Sequence, residues 1–379
     1  MSSVVYPVVA LLALIALAYK IPPLIRDPRS ATRRALAAML FFLVWAPTAN
    51  TPFIYVRIDE LLGVPNIARL IAHSGILGFA VSVQLLLLHW TVSDPPRRAT
   101  WFRVAAVAAG VAAMTVLFVL APLDVTLTRE FTTVYGDAPY MAEYMIVYLG
   151  YFVIALTDIL RLSWRFAGRT RQPFLRLGLR LVGWGAVFGL AYCAEKAFYI
   201  GARNAGWQPI PDAVQEQMSP LLTGPGCVLI LIGFTIPAWG PKVRGLYTYH
   251  RLHPLWRLLS EATPEIALDP DATRRGAVRD IDYRLVRLVV EIRDGWLALR
   301  PWFDARVARE SDGDDPDRVQ AAVLAAAVRA KARDEKPAEV WTADPRGGDD
   351  IAGETAHLLR IARHLRATGP APREQVVVR

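Results

Sequence analysis

The sequence predicts an all-α fold: a polytopic seven-helix transmembrane bundle followed by a helical cytosolic domain. Three observations lead to this prediction. The chain is 54% hydrophobic although 20% of its 379 residues are charged. Its apolar residues concentrate in seven stretches of about 20 residues, the length that crosses a bilayer. Lys and Arg concentrate in alternate loops between those stretches, which orients the bundle.

The seven apolar stretches define the predicted spans. They are residues 4–20, 35–56, 67–90, 102–122, 140–161, 178–201 and 221–240. The first has no basic segment before it and no small-residue cleavage site after it, so we predict a retained helix rather than a signal peptide. The predicted domains are a seven-helix transmembrane domain over 1–240, a helical cytosolic domain over 241–368 and a disordered tail over 369–379.

The loop charges indicate the direction of each span. Basic residues resist translocation, so basic loops stay in the cytosol. The loops after the first, third and fifth stretches contain Lys20, Arg26, Arg29, Arg33, Arg34, Arg97, Arg98, Arg103, Arg161, Arg165, Arg169, Arg171, Arg176 and Arg180. The opposite loops contain only Arg57, Arg69, Arg129 and Arg203. The predicted topology is multi-pass in the plasma membrane, with the N-terminus outside and the C-terminus cytoplasmic.

The net charge of +9 does not indicate a nucleic-acid partner. Residues 1–240 have 19 basic and 12 acidic residues, whereas residues 241–379 contribute only +2. The excess charge is therefore explained by the membrane loops rather than by a basic soluble surface. The predicted partner is the lipid bilayer. A cytosolic protein bound by the C-terminal domain and a small-molecule ligand are the further candidates.

Small residues predict which helices pack closely. The fourth stretch is rich in alanine, and the sixth has Gly185 and Gly189 in G-x-x-x-G spacing, so both are expected at the centre of the bundle. Cys193 and Cys227 lie in apolar stretches. They are predicted to be packing residues, with a single disulfide as the alternative. Two cysteines cannot form a thiolate metal site, and no metal or cofactor is predicted.

Five polar residues are predicted to lie at similar depth in the outer half of the bundle. They are Arg69, His73, Glu143, Glu195 and Lys196. Charged groups in a bilayer are costly, so each is a candidate functional residue. Arg69 and His73 are four residues apart and share a helix face. The two interpretations are a ligand-binding pocket open to the outside and a structural ion-pair network. Asp158, near the cytosolic end of its span, is predicted to pair with Arg161 one turn later.

The C-terminal half is predicted to be helical. Pro254 is expected to open a short helix, and a longer one is predicted over 273–306. That helix has an apolar stripe, interpreted as the core side of the domain with a coiled-coil dimer seam as the alternative, which consists of Ile281, Leu285, Leu288, Ile292, Trp296, Leu299 and Phe303. Two more helices are expected from about 315 to 333 and from 349 to 366. His357 and His364 are interpreted as part of a solvated face. The acidic runs 312–317 and 349–354 are interpreted as helix caps.

Three stretches carry a resemblance to a known family. They are DELLGVPNIARLIAH (59–73), LHPLWRLLSEATPEIAL (252–268) and YRLVRLVVEIRDGWLALRPW (283–302). They resemble an actinobacterial family of seven-pass membrane proteins with a C-terminal cytosolic domain of unknown function, whose members are labelled transporters. The resemblance implies the same topology along nearly the whole chain. It implies no residue roles.

Three functions follow from these observations. The first is a receptor or signalling protein, in which the outer polar residues bind a ligand and the cytosolic domain responds. The second is a small-molecule transporter. The third is an intramembrane enzyme acting on a lipid or isoprenoid, with Glu195 or Glu143 as general acid. The sequence has no glycine-rich phosphate loop and no nucleotide-binding signature, which argues against a kinase or an ATP-driven pump subunit.

Overall fold

The computed structural model describes residues 2–91, 97–126, 135, 138–207, 210–266, 281–311, 315–342, 347–348 and 350–367. Within these ranges the regular secondary structure is helical, and the one β-type pairing is an isolated antiparallel bridge between Asp304 and Val340. The all-α prediction is confirmed. The predicted tail 369–379 lies outside the described residues.

The chain divides into two compact units, Met1–Pro237 and Ala238–Arg379, called here the first and second units. Helices of the first unit are α1 (Ser2–Arg26), α2 (Ala31–Ala49), α3 (Pro52–Leu62), α4 (Ile67–Thr91), α5 (Arg97–Leu120), α6 (Met141–Arg169), α7 (Pro173–Asn204) and the first part of α8 (Asp212–Ala262).

The first unit has the helices of a multi-pass membrane protein. Among the described residues, six helices are long and apolar enough to cross a membrane, namely those within α1, α4, α5, α6, α7 and α8. The helices α2 and α3 pass the same test together, so the number rises to seven if this bent pair is one span. The predicted polytopic bundle is therefore confirmed, with six or seven candidate spans among the described residues.

The second predicted span, 35–56, is wrong as a single helix. The axes of α2 and α3 differ by 86° at a break over Asn50 and Thr51. The cause is Pro52, because a residue before proline is driven out of the α region. Thr51 accordingly has the extended conformation φ −70°, ψ 123°. The Asn50 amide and the Thr51 hydroxyl donate to the carbonyls of Ala46 and Pro47 at 3.1 and 3.0 Å, which satisfies the end of α2.

The helix at the centre of the first unit is α4. In its most apolar window 78% of the residues are buried, against 11% for α5. Aromatic rings of α2 pack against the glycines of α4, Trp45 against Gly75 and Phe42 against Gly78. The expectation that the alanine-rich helix α5 is central is wrong. Alanine is small, but it is also apolar, so its methyl groups can face lipid without cost and do not require a protein neighbour.

The helices α7 and α8 approach each other through glycines. A β-carbon at Gly185 would lie 2.8 Å from the carbonyl oxygen of Gly226, and one at Gly178 would clash with the carbonyl oxygen of Gly233. Gly189 instead faces Leu156 of α6. The prediction that the G-x-x-x-G glycines of α7 allow close helix packing is therefore confirmed, and the helices that pack there belong to the same chain. Cys193 and Cys227 are both free thiols.

The short helix predicted to begin at Pro254 does not exist as a separate element. Pro254 lies inside α8, which continues to Ala262. An internal proline removes one helical hydrogen bond. The helix continues because Leu252, Leu255 and Leu259 on either side of it are buried in the core of the second unit.

The second unit consists of the end of α8 and four further helices in the described residues. They are α9 (Ile281–Leu299), α10 (Ala305–Glu310), α11 (Pro316–Ala332) and α12 (Ile351–Ala367). The predicted helix over 273–306 is shorter than expected, because a 3-10 turn at Arg300–Trp302 ends it. Residues 273–280 lie outside the described residues.

The apolar stripe of α9 forms the core of the second unit. Ile281, Leu288, Ile292, Trp296, Leu299 and Phe303 are buried, and Leu285 is half-buried. They pack with Leu252 and Leu255 of α8, Leu324 of α11 and Ile361 of α12. The interpretation of this stripe as a domain core is confirmed.

Candidate functional site

A buried histidine on α4 is the centre of the candidate site. The Nδ1 atom of His73 lies 2.9 Å from the hydroxyl oxygen of Tyr144, and its ring stacks on Tyr148 with centroids 4.1 Å apart and planes 11° apart. Tyr144 and Tyr148 are one turn apart on α6, so they present both groups to the same point on α4. All three side chains are buried. The imidazole is therefore held in one position by two tyrosines.

Arg69 lies one turn before His73 and is half-buried. Its Nη1 atom donates to Oδ1 of Asn50 at 3.0 Å, and its guanidinium lies 5.2 Å from the centroid of the Tyr55 ring. The Tyr55 hydroxyl donates in turn to Oδ1 of Asn66 at 3.1 Å. Arg69 thus connects the break between α2 and α3 to the beginning of α4.

Asp59 positions the start of α4. Its carboxylate accepts the backbone amides of Asn66 at 2.6 Å and Ala68 at 3.0 Å, together with the hydroxyl of Thr126 at 3.0 Å. These amides would otherwise be unsatisfied at a helix N-terminus. Asp59 is buried. The sequence offers no signal for this role, because Asp59 lies eight residues before the predicted helix start, outside the usual capping positions.

Glu195 and Lys196 are both buried on α7, 9% and 6% exposed. The charge of Lys196 acts on His73, so Lys196 lies near the α4 histidine, and Glu195 precedes Lys196 in α7. Neither oxygen of Glu195 has a hydrogen-bond partner of normal geometry among the described residues. Besides Lys196, the polar side chain that acts on it is Gln215, near the start of α8, which is itself buried. Glu195 is therefore a buried carboxyl group with very little polar support.

Three of the five predicted site residues, Arg69, His73 and Lys196, come together in this way, and Glu195 is the neighbour of Lys196 in α7. We call Arg69, His73, Tyr144, Tyr148 and Lys196, together with Glu195 and its partner Gln215, the His73 cluster. Glu143 is the exception: it lies in the first turn of α6 and is exposed. A helix turns about 100° per residue, so burial of the adjacent Tyr144 directs Glu143 away from the cluster. Tyr144, Tyr148 and Gln215 had no sequence signal, because tyrosine and glutamine are ordinary residues in apolar helices.

The prediction that Asp158 pairs with Arg161 is wrong. Asp158 accepts hydrogen bonds from Nη2 of Arg103 and from Nε2 of Gln84, both at 3.0 Å, while Arg161 is exposed. These three residues come from α4, α5 and α6. The inter-helix contact is favoured because it brings an arginine and an amide to a partly buried carboxylate. A local pair with Arg161 would give Asp158 an exposed partner, which water screens.

An apolar layer separates this Asp158 group from the His73 cluster. On α4, His73 and Gln84 are eleven residues apart, a rise of about 16 Å. The side chains of Leu77, Ala80 and Ala155 between them are buried in the core of the first unit. Polar groups thus occur at two levels of the α4–α6 interface.

The two histidines of α12 are not on a solvated face. His357 is 2% exposed, and its Nδ1 lies 3.0 Å from Oδ1 of Asp317. Nε2 of His364 lies 3.0 Å from Oδ2 of Asp315. Asp315 also caps α11, since its carboxylate accepts the backbone amide of Asp317 at 3.0 Å. The capping prediction is confirmed for Asp315. The described residues contain no group of three or more His, Cys, Asp and Glu side chains that could hold a metal ion.

The second unit coincides with a known domain. Residues 238–367 match DUF6545, a family of unknown function. The DUF6545 domain begins at the residue where the second unit begins, and it ends with α12. Searches of curated proteins and of solved structures find no match to this chain. The His73 cluster lies in the first unit, before the DUF6545 domain.

Proposed function

We propose that this chain is a receptor- or signalling-like membrane protein. In this proposal the His73 cluster binds a small polar ligand or takes up a proton, and the DUF6545 domain is the responding part. The loop charges favour an outward-opening cluster and a cytosolic DUF6545 domain at the plasma membrane.

The observation that carries the proposal is Glu195. A buried carboxyl group without good hydrogen bonds is costly, and such groups concentrate at functional sites. An acid of this chain with a structural role receives hydrogen bonds from its neighbours. Asp59, for example, accepts three hydrogen bonds. Glu195 has no comparable set among the described residues, so a bound ligand or proton would stabilise it more than it would stabilise Asp59.

Helix α8 supports the coupling. Gln215 near its start acts on Glu195, and Tyr249, Leu252 and Leu259 near its end lie in the core of the DUF6545 domain. One continuous helix therefore contributes side chains both to the candidate site and to the domain. A change in the preferred position of Gln215 therefore has a covalent route along α8 to that core.

Replacement of Glu195 by glutamine tests the proposal. The change removes the charge and keeps the shape, so it imitates protonation or neutralisation by a ligand. We expect backbone hydrogen exchange in α9 or α12 to change by roughly 5-fold or more, the lower end of typical coupling between sites. The measurement is hydrogen–deuterium exchange with mass spectrometry on the full chain in nanodiscs.

Glu143→Gln is the matched control, because Glu143 is an exposed acid of the same unit outside the His73 cluster. It should leave exchange in the DUF6545 domain unchanged. If Glu195→Gln alters only α7 and the start of α8, the two parts are not coupled and the proposal fails.

A transporter is the second candidate, and the Asp158 group favours it. Titratable groups at two levels of one helix interface, here His73 and Asp158, are typical of proton or ion pathways, and the sequence resemblance to a family labelled transporters agrees. The buried layer of Leu77, Ala80 and Ala155 argues against an open path in this conformation. Transport would therefore require the α4–α6 interface to separate during each cycle.

Replacement of Asp158 by asparagine tests transport. If the chain moves protons, Asp158→Asn should reduce proton flux into proteoliposomes roughly 10-fold or more, because it removes a titratable group from the path. A pH-sensitive dye inside the vesicles measures the flux. Asp27→Asn is the control, because Asp27 is about half exposed in the turn after α1, where it pairs with Arg33 at 3.5 Å. Flux no greater than in protein-free vesicles would contradict a proton-coupled transporter.

A further inference from the structure

A small basic groove lies on the surface of the DUF6545 domain. Its lining residues are Tyr247 and Arg251 from α8 and Leu359, Ala362, Arg363 and Arg366 from α12. Its volume is about 100 Å³, below the roughly 300–1,000 Å³ of sites for drug-sized ligands. Three of the six lining residues are arginines, and none is acidic. The groove therefore has the size and charge to accept a small anionic group.

The arginines of the groove differ from several other arginines of the domain. Arg257, Arg287, Arg293, Arg306, Arg309 and Arg360 all pair with a glutamate or aspartate. Among the described residues, Arg251, Arg363 and Arg366 have no acidic partner within ion-pair distance. Three like charges in one groove repel one another, and an anion between them would remove that repulsion.

The groove is held in position by its own contacts. Nη2 of Arg366 donates to the carbonyl oxygen of Arg251 at 2.6 Å, which ties α12 to α8. The guanidinium of Arg251 lies 5.0 Å from the centroid of the Tyr247 ring. Leu359 and Ala362 are the apolar residues that line the groove. Arginine binds phosphate oxygens through paired N–H groups, and a fixed guanidinium loses less entropy when it does so.

The sequence around the groove indicates where the anion comes from. Tyr247 follows Trp239 by eight residues of continuous helix, a rise of about 12 Å. Trp239 ends the predicted apolar stretch, and tryptophan at such a position is typical of a membrane interface. Lys242 and Arg244 lie between the two. Basic residues clustered just beyond a membrane helix on its cytosolic side are typical of binding to anionic lipids.

We propose that this groove binds a phosphate group, and that the phosphate belongs to the head group of an anionic lipid in the adjacent leaflet. Arg251, Arg363 and Arg366 contact the phosphate oxygens, and Tyr247 holds Arg251 in place. The site is separate from the His73 cluster and does not depend on the function proposed for it.

The test compares three probes on the full chain in neutral detergent: phosphatidylglycerol, a diacylglycerol of the same chains without phosphate, and inorganic phosphate. Native mass spectrometry measures lipid binding, and calorimetry measures phosphate binding. We expect the double variant Arg251→Gln/Arg363→Gln to bind phosphatidylglycerol roughly 30-fold more weakly, the effect of removing two basic residues near a membrane surface. Binding of the diacylglycerol should not change.

Two further double variants keep the test decisive. Arg306→Gln/Arg309→Gln removes the same charge from exposed ion pairs elsewhere on the domain, and it should bind phosphatidylglycerol normally. Arg251→Lys/Arg363→Lys retains the charge but not the paired N–H groups, and it should recover part of the affinity even if the glutamine variant misfolds. Equal loss in both glutamine variants overturns the groove as the site. Arginine-dependent binding of inorganic phosphate without arginine-dependent binding of phosphatidylglycerol overturns the lipid as the source.

Discussion

Replacing Arg287 by methionine should lower the free energy of unfolding of the DUF6545 domain by about 3 kcal/mol, the cost of leaving a buried charge without its partner. Glu291 is only 1% exposed. Its carboxylate accepts hydrogen bonds from Nε of Arg287 at 2.7 Å and from Nε1 of Trp256 at 2.6 Å. Without Arg287, the buried carboxylate of Glu291 would retain one of these two donors, the indole N–H of Trp256.

A second substitution should reverse most of that loss. In Arg287→Met/Glu291→Gln the buried side chain is neutral, and its amide oxygen still accepts from Trp256. We expect the double variant to recover at least half of the lost stability. Hydrogen exchange of the backbone amides of α9 in the full chain measures both effects, because amides in a core helix report the free energy of opening.

The chain contains a matched control for this pair. Arg257 and Glu261 have the same spacing of four residues and a similar distance, 2.8 Å, but their side chains are 66% and 65% exposed. Arg257→Met should change stability by no more than about 0.5 kcal/mol, because water screens an exposed pair. Equal costs for Arg257→Met and Arg287→Met would mean that burial of Glu291 is not the cause.

Replacing Gly178 by alanine should lower the stability of the first unit by about 1–3 kcal/mol, the usual cost of inserting a methyl group into a packed interface. A β-carbon at Gly178 would overlap the carbonyl oxygen of Gly233 on α8, and it would also lie 3.1 Å from Ile236. A backbone carbonyl cannot rotate away as a flexible side chain can, so the two helices would have to separate. Thermal unfolding in detergent, followed by circular dichroism, measures the loss.

Gly201→Ala is the control for Gly178→Ala, since both glycines lie in α7 and a β-carbon at Gly201 would meet nothing within 4 Å. Alanine is a better helix former than glycine, so this variant should be unchanged or more stable by up to about 1 kcal/mol. If Gly178→Ala proves as stable as Gly201→Ala, the close contact between α7 and α8 does not contribute to stability.

Several features of the fold were predictable because they depend on local pattern. The length of the apolar stretches predicted most of the membrane helices, and the three- and four-residue spacing in 281–303 predicted the core face of α9. Asp315 before Pro316 predicted the beginning of α11. The break at Thr51 was also readable from Pro52, but hydropathy averaged over the stretch 35–56 concealed it.

The candidate site was only partly predictable. The spacing of Arg69 and His73 placed them on one face of α4, and the apolar surroundings of Glu195 identified it as unusual. The tyrosines that hold His73 come from α6, more than seventy residues later in the chain. Asp158 shows the same difficulty, since its sequence neighbour Arg161 was a reasonable partner and Arg103 was the real one.

The sequence alone determined that this is an all-α, multi-pass membrane protein with a helical C-terminal domain, because hydropathy and helical periodicity are properties of consecutive residues. Only the tertiary structure decided which polar groups meet. It brought Lys196 to His73, left Glu143 exposed, and gathered Arg251, Arg363 and Arg366 in one groove. The reason is geometric: contacts between helices depend on the rotation and offset of each helix, and one residue of rotation, about 100°, separates a buried side chain from an exposed one.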